Sequence, residues 1–93
     1  LFTQISEFEY LFDGRAMLND FCKVFDLEDD IFDEIRGEAD TLAGLILELK
    51  GEFPVLHEKL NFKNFTFEVE GVNTRRITKI KVTIHSAEKA ESL

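Results

Sequence analysis

Hydrophobic and polar residues alternate in several segments of the chain, a pattern typical of strands with one buried face. The first segment runs through Phe8, Tyr10 and Phe12 and ends at the turn residues Asp13 and Gly14. The remaining segments lie in the C-terminal half, and their apolar positions are Leu60 and Phe62, then Phe65, Phe67 and Val69, then Ile80, Val82 and Ile84. The pattern predicts one strand near the start of the chain and two or three strands later.

The last two of these segments are predicted to form an antiparallel hairpin around a tight turn at Asn73 and Thr74. Such a turn fixes which residues face each other across the two strands. The expected pairs are Phe67 with Ile80 and Phe65 with Val82 on the inner face, and Glu68 with Lys79 on the outer face. Opposite charges on the outer face would then support the register that the apolar pattern favours.

Two segments carry apolar residues at the spacing of a helix face. In the first helix these residues are Leu18, Phe21, Cys22 and Phe25. The second helix is expected to begin at Asp40, whose carboxylate would accept from free backbone N–H groups and contribute about 1 kcal/mol. Its buried stripe comprises Leu42, Leu45, Ile46 and Leu49, widened by Ala43 and Leu47.

Glycine and proline positions add detail to the second helix. Gly44 inside it costs about 1 kcal/mol relative to Ala, which indicates that a strand or a facing helix closely approaches the backbone there. Gly51 is expected to end the helix in the left-handed conformation, and Pro54 opposes its continuation.

The order of these elements predicts an α+β fold, β-α-α-β-β-β. Both helices are expected to pack on the apolar face of a small antiparallel sheet, whose other face is charged and solvated. With 93 residues, the chain is predicted to form a single domain over residues 1–93, with a core at about residues 7–84 and a loose tail at 86–93.

The charge balance argues against one class of partner. Nineteen acidic and eleven basic residues give a formal net charge of −8, whereas nucleic acids and anionic membrane surfaces attract basic proteins. The single cysteine cannot form an internal disulfide, which favours a reducing compartment. No apolar run approaches the roughly 20 residues that span a bilayer, and no signal peptide is expected. Because the chain begins with Leu1, we expect a fragment of a longer protein.

The most acidic part of the chain is residues 26–40, which we call the acidic segment. Its candidate metal ligands are Glu28, Asp30 and Asp33. Clustered carboxylates suit hard cations such as Mg²⁺ and Ca²⁺, but Ile31 stands where a calcium loop of the EF-hand type requires Gly. No metal site is therefore assigned, and the segment is interpreted as a loop with one turn of helix that holds Ile31 and Ile35 against the core. A direct sensor of divalent cations or small ligands is the alternative function.

One basic cluster lies close to the predicted hairpin tip. It comprises Arg75, Arg76, Lys79 and Lys81. These charges could be paired with Glu68 and Glu70 on the neighbouring strand. Alternatively, they form a docking patch for an acidic surface, such as a neighbouring domain or a second copy of the chain.

No residue is assigned a catalytic or cofactor-binding role. Cys22 lies on the apolar stripe of the first helix, where burial would raise the pKa of its thiol. His57 falls in a loop and His85 on the outer face of the last strand, so neither is placed beside Cys22 as a base. The chain is therefore not expected to be an enzyme.

Several short motifs follow one another along the chain. They are Phe12-Asp13-Gly14-Arg15, Met17-Leu18-Asn19-Asp20, Asp40-Thr41-Leu42-Ala43-Gly44-Leu45-Ile46-Leu47, Gly51 with Pro54, Phe67-Glu68-Val69, Arg75-Arg76-Ile77 and Lys81-Val82-Thr83. In this order they resemble the CorC/HlyC transporter-associated domain over about residues 7–84. The preceding Arg36-Gly37-Glu38-Ala39 resembles the branch that includes gliding-motility-associated members.

In that family, the domain stands at the C-terminal end of membrane proteins related to magnesium and cobalt efflux proteins and to haemolysins, after a membrane domain and a CBS pair. The resemblance implies a non-catalytic accessory domain that regulates ion transport at the cytoplasmic face of the bacterial inner membrane. Its implied partners are the CBS pair and membrane domain of the same chain, with a homodimer left open. It implies no cofactor, although the fold is related to part of a flavin-binding fold, and no membrane insertion by this segment.

Overall fold

Residues 2–85, the part of the chain that the computed structural model describes, form five strands and three helices. The strands are β1 (Phe2–Gln4), β2 (Glu9–Asp13), β3 (Lys59–Phe62), β4 (Phe65–Val72) and β5 (Ile77–Ile84). The helices are α1 (Leu18–Val24), α2 (Asp33–Arg36) and α3 (Leu42–Lys50). The tail that was predicted to be loose, residues 86–93, lies outside the described residues.

The strands form one antiparallel sheet in the order β1-β2-β5-β4-β3. Buried residues of α1 and α3 pack with those of the sheet in one apolar cluster, so the predicted α+β class is confirmed. The edge strand β1 was not predicted, because its three residues are all exposed and leave no alternating pattern. None of the helices in the described range has the length and apolar character needed to cross a membrane.

Phenylalanine rings fill the space between the sheet and the helices. The ring of Phe21 in α1 is fully buried, and its centroid lies 5.1 Å from that of Phe12 in β2 and 5.7 Å from that of Phe65 in β4. Burial of a side chain of this size contributes about 1.5–3 kcal/mol. The ring cluster is therefore a main source of the cohesion between the two layers.

The acidic segment is attached to this core by one helical turn, as predicted. Ile31 and Ile35 are partly buried against the core. The deepest anchor is Phe32, which is 1% exposed and whose ring centroid lies 5.7 Å from that of Phe21. Apolar residues thus hold this segment in place while its carboxylates face the solvent.

The hairpin of β4 and β5 has the predicted strands but a different register. Val72 pairs with Ile77, so four residues, 73–76, connect the strands instead of two. Asn73 Oδ1 accepts a hydrogen bond of 3.2 Å from the Arg76 backbone N–H inside this connection. The observed pairs are Phe67 with Val82, Phe65 with Ile84 and Glu68 with Lys81. The predicted pairs are wrong by two residues, but every side chain keeps its predicted face because the pleat repeats every two residues.

Helix α3 begins one residue later than predicted. Its N-cap is Thr41, whose Oγ1 accepts a hydrogen bond of 3.1 Å from the Gly44 backbone N–H. The Asp40 carboxylate is exposed and lies 3.4 Å from the Arg36 guanidinium. Both Asp and Thr are favoured at this position, so the sequence alone does not choose between them. At the other end, Gly51 adopts the predicted left-handed conformation, with a φ of 84°.

The connection between β2 and α1 supplies further hydrogen-bond acceptors for the start of α3. The Gly14 carbonyl accepts from the Ala43 N–H at 2.9 Å, and the Ala16 carbonyl accepts from the Leu42 N–H at 2.8 Å. Gly14 also lies against β5, since a Cβ added to it would be 2.1 Å from the Ile77 carbonyl oxygen. A glycine at this position therefore allows β2, β5 and α3 to meet.

Other residues approach closely at Gly44, as predicted, but they are not those of a strand or a facing helix. A Cβ added there would lie 3.0 Å from Ala39 Cβ and 3.3 Å from Thr41 Oγ1, both of which belong to the chain just before α3. The prediction of a strand or a facing helix against Gly44 is wrong. Leu47, expected to widen the buried stripe, is 38% exposed, while Leu42, Leu45 and Ile46 are buried as predicted.

Candidate functional site

The basic residues of the hairpin turn meet the end of β2 at one edge of the molecule. Arg75, Arg76 and Lys79 are exposed, and none forms an ion pair with another residue of the range 2–85. Arg15 joins them, because Asp13 pairs with Lys79 across β2 and β5. Arg15, Arg76 and Lys79 line one depression. We call Arg15, Arg75, Arg76 and Lys79 the basic end.

Asp13 is the carboxylate that accompanies the basic end. Its Oδ1 accepts hydrogen bonds from the Arg15 backbone N–H at 2.8 Å and from Arg15 Nε at 3.2 Å. The hydrogen bond from the Arg15 side chain lowers the pKa of Asp13 below its ordinary value. One carboxylate against four cationic side chains leaves the basic end positively charged.

Lys81, the fourth residue of the predicted docking patch, lies apart from the basic end on the outer face of β5. Its Nζ is 3.5 Å from Glu68 Oε1. Lys59 of β3 flanks the same carboxylate on the other side, since it pairs with Glu68 in the sheet register. The structure thus divides the predicted patch into three exposed residues at the hairpin turn and one lysine paired with a glutamate.

A second group of polar residues lies on the outer face of β4. Glu68 and Glu70 project on this face, and His57 reaches them from the loop before β3. His57 Nδ1 is 3.8 Å from Glu68 Oε2 and 3.9 Å from Glu70 Oε1. The three residues each offer one potential ligand atom, and these atoms lie within 4.8 Å of one another. We call His57, Glu68 and Glu70 the outer cluster.

Backbone hydrogen bonds hold His57 over the strand. The His57 N–H donates to the Val69 carbonyl at 2.7 Å, and the Val69 N–H donates to the Glu58 carbonyl at 3.0 Å. His57 has a φ of 70°, which turns the chain at this point. Since Val69 lies between the two glutamates, these bonds fix the loop at the level of the cluster.

The two glutamates of the outer cluster differ in acidity. Partial burial opposes ionisation of Glu68, but the hydrogen bond with Glu70 and the charges of Lys81 and Lys59 together lower the pKa of Glu68. Partial burial, the hydrogen bond with Glu68 and repulsion by its charge raise the pKa of Glu70. Glu68 is therefore the carboxylate that ionises first as the pH rises.

The three candidate ligands of the acidic segment line one open depression. Glu28, Asp30 and Asp33 are all exposed there. Lys63 lines the same depression, and its Nζ lies 3.5 Å from Glu34 Oε1. The structure brings the predicted residues together beside a cation of the chain itself, and the sensor hypothesis for this segment stays a prediction.

Cys22 and His85 lie on opposite sides of the sheet. Cys22 is buried in the core, and this burial raises the pKa of its thiol. His85 Nε2 lies 2.7 Å from Thr66 Oγ1, whose side chain belongs to the outer face. The predicted structural role of Cys22 agrees with this placement.

Sequence reasoning missed Arg15 and the outer cluster. Carboxylates at i and i+2 in a strand share a face, so Glu68 and Glu70 could have been identified as neighbours. His57 could not, because no hydrophobic pattern fixes the path of its loop. Arg15 joins the basic end only through the pairing of β2 with β5, which the prediction did not include.

Comparison with known proteins places this geometry in a family. The profile of the CorC_HlyC family, described as a transporter associated domain, matches residues 3–86. The solved transporter associated domain of a CBS domain protein from Porphyromonas gingivalis has a TM-score of 0.83 and 35% identity, over 91% of this chain and 98% of that one.

Two curated proteins show the same relationship at the sequence level. Hemolysin C of Brachyspira hyodysenteriae is 32% identical over 73 residues, which are 78% of this chain and 26% of that protein. The magnesium and cobalt efflux protein CorC of Buchnera aphidicola is 27% identical over 81 residues, 87% of this chain and 27% of that protein. The chain thus spans about a quarter of the length of the curated relatives it matches.

Proposed function

The chain belongs to the CorC/HlyC family of transporter-associated domains, and on that premise we propose that it is a non-catalytic accessory domain that regulates a membrane cation transporter through protein contacts. The proposed partners are a membrane domain and a CBS pair in the same longer protein, at the cytoplasmic face of the bacterial inner membrane. Relatives named for magnesium and cobalt efflux support the choice of divalent cations as the transported ions.

The basic end is the observation that carries the proposal. It collects four cationic side chains at one edge of a protein whose formal net charge is −8. A local charge opposite in sign to the rest of the surface favours one orientation toward an acidic partner. The strands and the turn hydrogen bond hold the backbone that carries these side chains, so contact with a partner has to order only the side chains themselves.

A contact of this kind regulates transport only if it is stronger in one state of the transporter than in another. We propose that one state presents an acidic surface to the basic end more favourably. Because the domain is tethered to its partners, even a weak interface is occupied for much of the time. Coupling free energies of about 1–3 kcal/mol then shift the equilibrium between the two states about 5- to 150-fold.

The placement of charged groups in residues 2–85 is that of a binding surface. Within residues 2–85, the buried side chains are apolar, and no charged or polar side chain is buried. Catalytic acids, bases and nucleophiles are usually found in desolvated sites that shift their pKa values strongly. Binding surfaces, by contrast, can be built from exposed charges such as those of the basic end.

Charge reversal of the hairpin turn tests the proposal in the whole transporter protein. The double variant Arg75→Glu/Arg76→Glu should change the rate of cation efflux from proteoliposomes about fivefold or more. A control of equal charge change, Lys23→Glu/Lys63→Glu, lies at exposed positions away from the basic end. The only ion pair that it breaks within residues 2–85 is the exposed one of Lys63 with Glu34, and it should leave efflux unchanged. Equal effects of both double variants, or no effect of the first, would contradict docking through the basic end.

A further inference from the structure

We propose that His57, Glu68 and Glu70 bind a divalent transition-metal cation such as Co²⁺, Mn²⁺ or Zn²⁺ on the outer face of the sheet. The three side chains come from two separate segments of the chain and converge on one point. This inference is independent of docking by the basic end, which lies at the hairpin turn and uses other residues.

The distances within the outer cluster are close to those of a metal site. Nitrogen and oxygen ligands lie roughly 2.0–2.2 Å from such cations, so neighbouring ligand atoms are roughly 3.0–3.5 Å apart. His57 Nδ1 lies 3.8 Å from Glu68 Oε2 and 3.9 Å from Glu70 Oε1. Small side-chain rotations would close these gaps, without movement of the strand.

The donor atoms select the class of metal. An imidazole nitrogen with carboxylate oxygens suits first-row transition cations, whereas Mg²⁺ and Ca²⁺ prefer oxygen ligands alone. The imidazole distinguishes the outer cluster from the acidic segment, whose candidate ligands are all carboxylates. Two carboxylates together with a neutral imidazole also compensate the charge of a divalent cation.

The supports of the three side chains keep the cluster assembled. Glu68 is paired on both sides, with Lys59 of β3 and Lys81 of β5. Glu70 follows at the register shift between Val69 and Gly71 and keeps its place on the outer face of β4. His57 is fixed by the hydrogen bonds that join its loop to Val69. Three protein ligands leave coordination positions for water or for a group from a partner, as in metal sites that exchange their cation or ligands.

Lys81 is the principal competitor for the proposed cation. Its Nζ lies near Glu68 Oε1, whereas the oxygen nearer to His57 is Oε2. Lys81 is thus paired with Oε1 of Glu68, whereas Oε2 faces His57. The positive charge of Lys81 should weaken binding of the metal without blocking it.

Calorimetric titration of the purified protein with CoCl₂, MnCl₂ and ZnCl₂ tests the assignment, with MgCl₂ as the comparison. We expect each transition cation to bind at least tenfold more tightly than Mg²⁺. His57→Ala and Glu70→Gln should each weaken Co²⁺ binding at least tenfold. The matched controls Glu28→Gln and Asp30→Asn, in the acidic segment, should change it less than twofold. Unchanged thermal unfolding of the metal-free variants would show that they remain folded.

Two further measurements locate the cation. In NMR spectra, substoichiometric Mn²⁺ should broaden the amide signals around His57 and Val69 before those of residues 28–33. Lys81→Met should strengthen Co²⁺ binding, and Arg75→Glu/Arg76→Glu should leave it unchanged even if transport is lost. The assignment is overturned by absence of binding at 1 mM Co²⁺, by binding that survives His57→Ala, or by broadening centred on the acidic segment.

Discussion

The two faces of strand β4 differ in both composition and burial. On the inner face, Phe65, Phe67 and Val69 are at most 1% exposed and pack into the aromatic core. On the outer face, Glu68 and Glu70 remain partly exposed. Glu68 forms an ion pair of 3.5 Å with Lys81, and both carboxylates approach His57 Nδ1 at 3.8–3.9 Å. One face therefore supplies stability, and the other supplies charged groups in fixed positions.

This difference shows how a small domain can hold polar groups rigidly without burying them. Packing of the inner residues immobilises the backbone of β4. Because the outer residues belong to the same strand, their Cα positions are fixed as well. The outer face can therefore carry charges that suit binding, while their removal costs little stability. The following predictions test this division of roles, from the largest effect to the smallest.

Removal of one inner ring should have a much larger effect than truncation on the outer face. Phe67 is completely buried, and its replacement by alanine should lower the free energy of unfolding by about 3–5 kcal/mol. Thr83, on the outer face of the adjacent strand, should lose less than about 1 kcal/mol on replacement by alanine. Urea denaturation of both variants measures the difference, and comparable losses would contradict the contrast between the faces.

The cap of helix α3 should contribute less to the free energy of unfolding than a buried ring does. Thr41→Ala should lower the free energy of unfolding by about 1 kcal/mol, because the Gly44 N–H loses the Oγ1 acceptor. Asp40→Ala removes an exposed carboxylate with one ion pair and should cost less than about 0.5 kcal/mol. The same denaturation experiment compares them, and a larger loss for Asp40→Ala would favour the cap predicted from the sequence.

The smallest effect is expected at Asp13, beside the basic end. Because Arg15 lowers the pKa of folded Asp13 below the ordinary value of 3.8, the ionised carboxylate stabilises the fold above that pH. This contribution is lost as the pH falls through the lower pKa of the folded state. Asp13→Asn should therefore be less stable than the parent at pH 7, and the two should converge once the pH has fallen below the lowered pKa of folded Asp13. Thermal unfolding of both proteins against pH measures this difference, and the exposed control Asp29→Asn, which removes a carboxylate that forms no ion pair within residues 2–85, should leave the unfolding temperature at pH 7 unchanged.

Strand positions and faces were predictable because burial alternates along β4 and β5. Phe65, Phe67 and Val69 alone identify the inner face of β4. The cross-strand partners were not predictable, since they depend on the length of the turn, which the hydrogen bond between Asn73 and Arg76 helps to define. Local pattern thus determines the face, and loop geometry determines the register.

Fewer of the site residues were predictable, because most of them come together only in the folded sheet. Arg75 and Arg76 are neighbours in the sequence, so their proximity needed no fold. His57 and Glu70 meet only because the backbone of the loop bonds to Val69. Likewise, the choice of Thr41 over Asp40 as helix cap depends on backbone conformation, since both residue types are favoured at N-caps. Contacts between distant segments require the assembled sheet, which composition and spacing do not encode directly.

The four-residue turn at residues 73–76 has a consequence for the engineering of this domain. Strands continue to present the same side chains inward when their connection grows or shrinks by an even number of residues. Insertion of two residues into this turn should therefore lengthen it while Phe65 and Phe67 stay on the inner face of the sheet.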